Sequence, residues 1–215
     1  YLDVFMKKGR EKEVTRFIYD FLFGDAKALW DRLQLYDIPS NSFFLLHLLT
    51  RIKENGKYVK MEDASFCPIA VLPKTEDEYF AGLSSRRGQR FRQDLRTLNK
   101  QGKVEHLTFS SDKIETALND FFILYTEKAG WTGKDLHRLI SCFVDKKGPE
   151  SVQIDFMTTD AGCYIGGLLH LRFHNTLYMY LMAIDKTYNS KVSIGNVLVG
   201  LCIINAIRSG IAVYD

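Results

Sequence analysis

The sequence predicts a mixed α/β fold of the α+β type. Helices should flank a mixed sheet, and an additional α/β lobe should precede this sheet in the chain. From residue 104 onward, the hydrophobic pattern gives a strand, two helices, a three-strand meander, a loop, an apolar helix and a strand. Before residue 83, helix-like and strand-like segments alternate less regularly. We therefore expect an N-terminal lobe over residues 1–82, a basic linking helix over 83–103 and a main domain over 104–215.

Composition limits the classes of function. A chain of 215 residues with 46% hydrophobic content can bury a sizeable core, and its net charge of only +3 argues against a general polyanion-binding protein. Four dispersed cysteines without a CxxC pair predict reduced, mostly buried thiols in a cytoplasmic protein. The longest apolar run, residues 197–207, is too short for a transmembrane segment.

In the N-terminal lobe, β-branched and aromatic residues predict a strand over residues 14–23. Apolar side chains at three-residue spacing predict a helix over residues 42–54. A second strand is predicted over residues 66–72. Thr75 and Glu78 have the spacing of a capping box, so another helix should begin there.

The elements of the main domain follow from the same periodicities. The predicted strands cover residues 104–109, 152–157, 163–173, 177–185 and 211–214, and the predicted helices cover 112–125, 135–144 and 194–208. Because the sequence stops within the last strand, we expect the C-terminal part of this domain to be missing from residues 1–215. One side of the apolar helix would then lack cover, and such a chain alone should be poorly soluble.

A basic run lies between residues 84 and 103, where seven lysines and arginines accompany a single acid. Within it, Phe91, Leu95 and Leu98 recur at i, i+4 and i+7, which predicts a helix with one buried face. Charges beside such a face are usually solvated. Only one aromatic residue interrupts the run, whereas single-strand binders interleave several with their cations, so we expect neither a DNA partner nor an RNA partner.

An anion clamp is the other interpretation of this run. Arg86, Arg87 and Arg90 could bind a phosphorylated ligand or an acidic acceptor substrate. The sequence alone does not separate this interpretation from a solvated helix face.

The loop AIDKTYNSKVSIGNVL, residues 183–198, joins the meander to the apolar helix. Unpaired N–H groups and the helix dipole at such a junction attract anions, and small residues let a phosphate approach the backbone. Given the order of the elements around it, this loop resembles the pyrophosphate-binding junction of GNAT acyltransferases. The residues in comparable positions are Tyr188, Lys191, Ser193 and Gly195. Ser193 stands where those enzymes have glycine and Lys186 where they have proline. An ordinary helix N-cap would explain Ser193 equally well.

The succession of motifs in residues 30–39, 67–68, 72–73, 83–102 and 185–215 resembles the CelD-type acetyltransferases associated with cellulose biosynthesis. This resemblance implies a GNAT-like fold with an added N-terminal portion, similar to the two-lobed Fem-type transferases. It also implies acyl transfer from a thioester donor, acetyl-CoA or another acyl-CoA, and it makes the arginine-rich helix the connection between the lobes.

The same resemblance assigns candidate site residues. It implies that the donor is held by the backbone of Met182, Ala183 and Ile184 and by the loop residues Lys191, Ser193, Ile194, Gly195 and Asn196. Asp185 is the first candidate for a general base or for orienting the acceptor, although it could simply cap the loop. Tyr180 is a second catalytic candidate, and His170 a weaker one, since either could be a satisfied core residue.

No metal site is predicted. His170 and His174 could share one strand face, but no third ligand is evident. No Ser/His/Asp or Cys/His combination can be discerned either.

Three functions remain open. The first is N- or O-acyl transfer from acyl-CoA to an unidentified acceptor, with polysaccharide or envelope biosynthesis as the expected context. The second is a Fem-like transfer from aminoacyl-tRNA, for which the basic helix would contact RNA. The third is a non-catalytic GNAT-like module.

Overall fold

The structure is a computed structural model that describes residues 3–4, 6–63, 66–129 and 133–215. It contains two compact units, Tyr1–Cys67 and Pro68–Asp215, the first of which ends inside the predicted lobe of residues 1–82. None of the helices in the described ranges combines the length and the apolar character needed to cross a membrane.

The described part of the first unit is helical. Its elements are α1 (Glu11–Asp20), a π-helical turn (Phe21–Asp25), a 3-10 turn (Lys27–Leu29) and α2 (Phe43–Glu54). The strand predicted over residues 14–23 is therefore wrong. Two acids in the first turn suit the positive end of the α1 dipole, and Thr15 and Tyr19 are buried one helical turn apart.

Helix α2 confirms its prediction and supplies most of the core of this unit. Ser42 caps it by accepting a hydrogen bond from the Leu45 N–H at 3.1 Å. Phe44, Leu48 and Ile52 lie on one face and pack with Tyr19 of α1. Four-residue spacing along a helix gives such a continuous apolar stripe.

The second unit is built on a mixed sheet, as predicted. In its described residues six strands are present: β1 (Ala70–Val71), β2 (Val104–Phe109), β3 (Val152–Thr159), β4 (Tyr164–Phe173), β5 (Thr176–Ile184) and β6 (Val213–Tyr214). Their order is β1-β6-β5-β4-β3-β2, with β5 and β6 parallel and every other pair antiparallel. Strand β1 is much shorter than the strand predicted over residues 66–72.

Helices cover both faces of this sheet. They are α3 (Glu76–Gly82), α4 (Ser85–Gln101), α5 (Ile114–Ala129), α6 (Lys134–Lys147) and α7 (Ile194–Arg208), with 3-10 turns at Ser111–Lys113 and Pro149–Ser151. One core contains Phe121, Ile140 and Phe156 and lies on the α5 and α6 side. The other contains Leu98 and Leu198 and lies under α4 and α7. The bounds of α7 coincide with the prediction.

One helix start confirms the predicted capping box, and a second cap is found at the start of α4. Thr75 accepts the Glu78 N–H at 3.2 Å, and the Glu78 carboxylate accepts the Lys74 N–H at 3.1 Å. At the start of α4, Ser84 accepts the Arg87 N–H at 3.4 Å. The basic run is thus a helix of its own, separate from α3.

Helix α4 is anchored on α7 through an aromatic contact. A Cβ atom at Gly200 would lie 2.4 Å from the Phe91 ring, a distance that no side chain tolerates. Glycine at this position lets the two helices approach closely, and Phe91 is on the inner face of α4 as its spacing predicts.

Candidate active site

Strand β5 is irregular at the residue predicted to be catalytic. Leu169 pairs with Leu181 and His170 pairs with Met179, so Tyr180 is the extra residue of a β-bulge. Tyr180 is 43% exposed. Bulges re-aim side chains and are frequent beside active sites, which is consistent with the predicted role of Tyr180 without testing it.

Beyond the bulge, one edge of β5 has no neighbouring strand among the described residues. Strand β6 pairs with Thr176 and Leu177, and the Met179 N–H then donates to the Asp215 carbonyl at 2.7 Å. Farther along, the Asp185 N–H donates to Ile165 of β4. Since backbone groups alternate along a strand, those of Met182 and Ile184 point to the open edge, whereas those of Ala183 point to β4.

The N-terminus of α7 lies beside this open edge. Ser193 is the N-cap residue, but its exposed side chain makes no capping hydrogen bond. The Val197 N–H bonds back to the Ser193 carbonyl at 3.1 Å, so the N–H groups of Gly195 and Asn196 precede the first regular helix bond. The first turn carries no acid. These are the properties of an anion site at a helix start.

Gly195 sets the distance between α7 and β5. A Cβ atom there would lie 3.1 Å from the Met182 Sδ atom and 3.7 Å from Ile184. Because Gly195 has no side chain, the first turn of α7 lies close to Met182 and Ile184, whose backbone groups face the open edge. Ile194 is buried next to it and faces the core.

Helix α4 fixes the loop that precedes α7. The Lys191 N–H donates to the Asn189 side chain at 2.8 Å, and Asn189 donates to Gln101 of α4 at 2.6 Å. Arg90 donates to the Lys191 carbonyl at 3.3 Å and forms an ion pair with Asp94 at 2.9 Å. The Lys191 side chain is exposed. A basic residue of α4 therefore lies beside the candidate donor loop.

This fold agrees with what comparison with known proteins shows. Residues 84–215, more than half of the chain, match the family described as an acetyltransferase (GNAT) domain. The chain belongs to that family. Its closer resemblance to CelD-type acetyltransferases stays a prediction, and a search of curated proteins finds no match.

Several solved structures are similar to this chain at low sequence identity, and FemX shares its fold. FemX is 15% identical with a TM-score of 0.53, over 95% of this chain and 67% of FemX. L-PGS from Bacillus licheniformis is 10% identical with a TM-score of 0.45, over 80% of this chain and 56% of that one. A GNAT-family acetyltransferase from Staphylococcus aureus Mu50 is 19% identical with a TM-score of 0.36, over 51% and 70%. This chain thus spans little more than half of the length of L-PGS.

Asp185 of the GNAT domain is held by three interactions. Its carboxylate accepts the Thr187 N–H at 2.8 Å and the Thr187 hydroxyl at 2.5 Å, and it lies 2.9 Å from the Lys128 ammonium. The hydrogen bonds from Thr187 and the charge of Lys128 lower the pKa of Asp185 to about 2. A carboxylate with so low a pKa accepts protons poorly at neutral pH, so this geometry fits an orienting or capping role better than general-base catalysis.

Replacing Asp185 with asparagine should lower the free energy of unfolding by about 1–2 kcal/mol at neutral pH. The pKa of about 2 in the folded state lies below the ordinary value of 3.8, so the charged form stabilises the fold. That contribution is complete above the unfolded pKa and is lost as the pH falls through the folded one. Urea denaturation should therefore show a difference that shrinks between pH 3.8 and about 2. Exposed Asp145, replaced in the same way, is the control; an equal loss in both variants would contradict the assignment.

The arginines predicted to bind substrate do not behave alike. Arg90 already forms an ion pair with Asp94 and a hydrogen bond to the Lys191 carbonyl of the loop. Arg86 and Arg87 are exposed in the first turn of α4 and pair with no acid among the described residues. They are therefore available to an anion near the donor loop.

A second polar cluster lies under α7, on β2, β3 and β4, where sequence reasoning expected none. Its centre is the fully buried carboxylate of Asp155. One oxygen lies 2.9 Å from the His106 Nε2 atom and accepts the Thr108 hydroxyl at 2.6 Å. The other accepts Gln153 at 2.8 Å and lies 3.1 Å from the His170 Nδ1 atom, at an angle poor for a hydrogen bond. Burial alone would raise the pKa of Asp155, but the imidazoles of His106 and His170 outweigh burial and hold it well below its usual range.

His170 extends this cluster to β6, and Cys202 joins it from α7. The His170 Nε2 atom is 2.9 Å from the Tyr214 hydroxyl, and the Cys202 Sγ atom is 3.8 Å from the His106 Nε2 atom. Burial, followed by the charge of Asp155, raises the pKa of the Cys202 thiol well above its usual value. His174 lies in the turn after β4 with a φ of 51°, so it does not share a strand face with His170.

The cysteines are distributed differently from the prediction. Cys67, Cys142 and Cys163 are exposed and only Cys202 is buried, so the expectation of mostly buried thiols is wrong. The signal that sequence reasoning missed was Asp155, a carboxylate inside an otherwise apolar strand. Such a residue must be paired when it is buried.

Proposed function

We propose that this GNAT domain transfers an acyl group from acyl-CoA to an amine or a hydroxyl of an acceptor substrate. The observation that carries the proposal is the meeting of the α7 N-terminus with the open edge of β5 at Gly195. An anion binds at such a helix start, and an extended amide-bearing chain binds at such an edge. CoA carries both kinds of group in one molecule: its pyrophosphate is an anion, and its pantetheine arm is an extended chain with amides.

Each donor-binding residue has a part in this proposal. The pyrophosphate accepts hydrogen bonds from the N–H groups of Gly195 and Asn196, with Ser193 and Lys191 beside it. The pantetheine amides pair with the backbone of Met182 and Ile184. Ala183 and Ile194 contribute by packing: Ala183 of β5 is buried in the core on the α5 and α6 side, and Ile194 holds the first turn of α7 on the other core.

The reaction needs a nucleophile, charge stabilisation and a proton donor. The acceptor nitrogen or oxygen attacks the thioester carbonyl, the new amide or ester bond forms, and the C–S bond breaks as the acceptor loses a proton and the thiolate gains one. Tyr180 at the bulge is our candidate for proton transfer, and Asp185 our candidate for orienting the acceptor. Arg86 and Arg87 bind an anionic group of the donor or the acceptor, while Arg90 positions the loop.

Transfer from aminoacyl-tRNA is a second candidate, supported by the exposed cations of α4 and by the FemX-like fold. A polysaccharide or envelope acceptor and a cytoplasmic location stay predictions. A non-catalytic module would bind neither kind of donor productively.

Thermal denaturation with acetyl-CoA, longer acyl-CoAs, CoA and RNA tests the proposal. Acetyl-CoA at a hundredfold excess over its dissociation constant should stabilise the fold by about 2.7 kcal/mol. Replacing Gly195 with leucine should abolish this shift, because the added side chain fills the approach to the helix start. Gly82, where a Cβ atom would meet nothing within 4 Å, is the control site for the same substitution.

The outcomes separate the candidates. Any RNA binding should vanish at physiological salt if it is only electrostatic. RNA stabilisation that persists there, without a response to acyl-CoA, would favour transfer from aminoacyl-tRNA. An acetyl-CoA shift that survives in the Gly195→Leu variant would contradict the pyrophosphate assignment.

A further inference from the structure

Three side chains of metal-binding type converge in the polar cluster under α7. The His106 Nε2 atom, a carboxylate oxygen of Asp155 and the Cys202 Sγ atom all lie within 4.8 Å of one another. They come from β2, β3 and α7, far apart in the sequence. Asp155 and Cys202 are buried, and the His106 side chain keeps 16% exposure.

We propose that His106, Asp155 and Cys202 bind a divalent transition-metal ion of the zinc type. Imidazole, carboxylate and thiolate are the three ligand types of zinc proteins. Standard zinc bond lengths imply ligand separations of about 3.3 Å between nitrogen and oxygen and about 3.5 Å between nitrogen and sulfur at tetrahedral angles. The observed separations are 2.9 Å and 3.8 Å. The oxygen and the sulfur lie within 4.8 Å of each other, against about 3.6 Å at a zinc ion, so ligand shifts of up to about 1 Å bring all three into place.

Charge and hydrogen bonding favour the ion over the bare cluster. Without an ion, a carboxylate and a thiolate buried side by side would repel each other, so Cys202 stays a neutral thiol, whereas a dication neutralises a carboxylate and a thiolate together. The His106 Nε2 atom faces both the oxygen and the sulfur, but one ring nitrogen carries at most one hydrogen. A metal ion satisfies all three ligands at once, and the thiol proton leaves to solvent when it binds.

The surrounding residues support the ligands as outer-shell residues do in metal proteins. The second oxygen of Asp155 is held by Gln153 and lies next to His170. The Thr108 hydroxyl donates to the first oxygen and accepts from Asn205 of α7 at 3.1 Å. Such contacts fix ligand orientation and raise metal affinity. A water molecule would complete the tetrahedron.

The site lies apart from the candidate donor site. Strand β4 separates β2 and β3 from β5, and Cys202 is two helical turns beyond Gly195. An ion here ties β2 and β3 to α7 and so stabilises the fold. The proposal does not depend on the proposed acyl transfer.

Metal analysis of the whole chain tests this inference. After expression with added zinc and gel filtration, elemental analysis should find about one zinc ion per chain. The metal-loaded protein should melt at a higher temperature than the chelated protein. The Cys202→Ala variant, which exchanges a thiol for a methyl group, should lose the metal and this difference in melting temperature. Replacement of the exposed Cys163 by alanine is the matched control and should retain both.

Cobalt substitution gives a readout from the unaltered protein, which holds even if the Cys202→Ala variant fails to fold. Co(II) bound to the thiolate should give a charge-transfer band in the near ultraviolet, together with tetrahedral d–d bands. Absence of that band, a wild-type protein without zinc, or equal zinc in the Cys202→Ala variant would each overturn the proposal.

Discussion

Replacing Asp155 with alanine should lower the free energy of unfolding by about 3–5 kcal/mol, the usual cost of removing one partner from a buried charged cluster. The carboxylate is fully buried and has four polar neighbours, so its loss removes the acceptor that Thr108 and Gln153 share. In a chain of this size each kcal/mol lowers the melting temperature by about 2–4 °C. The expected fall is therefore about 6–20 °C. A chelator should be present, so that the effect of the side-chain network alone is measured.

Asp145 provides the reference for this prediction. It is exposed on α6, where replacement by alanine should change stability by less than about 0.5 kcal/mol. Asp155→Asn keeps one acceptor oxygen and should fall between the two. A loss in Asp155→Ala no greater than in Asp145→Ala would show that the buried network contributes little.

An aspartate at position 193 should abolish acyl-CoA binding while leaving the free protein slightly more stable. A negative side chain at a helix start interacts favourably with the dipole, by about 0.3–1 kcal/mol. The same charge about 4 Å from a bound pyrophosphate would cost about 4 kcal/mol at an effective dielectric constant of about 20. The melting temperature without ligand and the shift with acetyl-CoA should therefore change in opposite directions.

Ser193→Asn is the matched control, since asparagine caps helices as well as aspartate does but carries no charge. It should keep the acetyl-CoA shift. If Ser193→Asp also kept the shift, the donor anion would not lie at the start of α7, and the loop would be only a helix cap. Isothermal titration of each variant with CoA checks the same point independently of thermal unfolding.

The sequence predicted the elements whose signals are local. The apolar residues between Ser193 and Gly210 define α7 to the residue, and Thr75 with Glu78 locates the start of α3. The three meander strands could be predicted from the sequence because short hairpin links separate them. The mixed sheet and the GNAT fold followed from the order of these elements, and the family match confirms that part of the interpretation.

Helix α1 shows where local propensity fails. Valine, threonine, phenylalanine and tyrosine favour strands on average, but Thr15 and Tyr19 recur at helical spacing and are both buried. Packing against α2 overrides intrinsic preference here. The helical period was present in the sequence, and the enrichment in aromatic and β-branched residues concealed it.

The two parts of the site differ in how far they could be predicted. The donor loop is contiguous, so Ser193 and Gly195 could be recognised from their place before an apolar helix. The buried cluster joins His106, Asp155 and Cys202, which only the sheet topology and the packing of α7 bring together. Pairing across strands distant in sequence leaves no local pattern.

The position of β6 also has a consequence for folding. This strand lies between β1 and β5 in the sheet, yet β1 begins at residue 70 and β6 at residue 213. During synthesis, β2 to β5 can pair through short connections, but β1 has no partner until residues 213–214 have left the ribosome. Closing so long a loop makes this pairing slow and late. Until then the part of the β5 edge that β6 covers, Thr176 and Leu177, is unpaired as well. The nascent chain is therefore most exposed to aggregation or chaperone capture just before synthesis reaches β6.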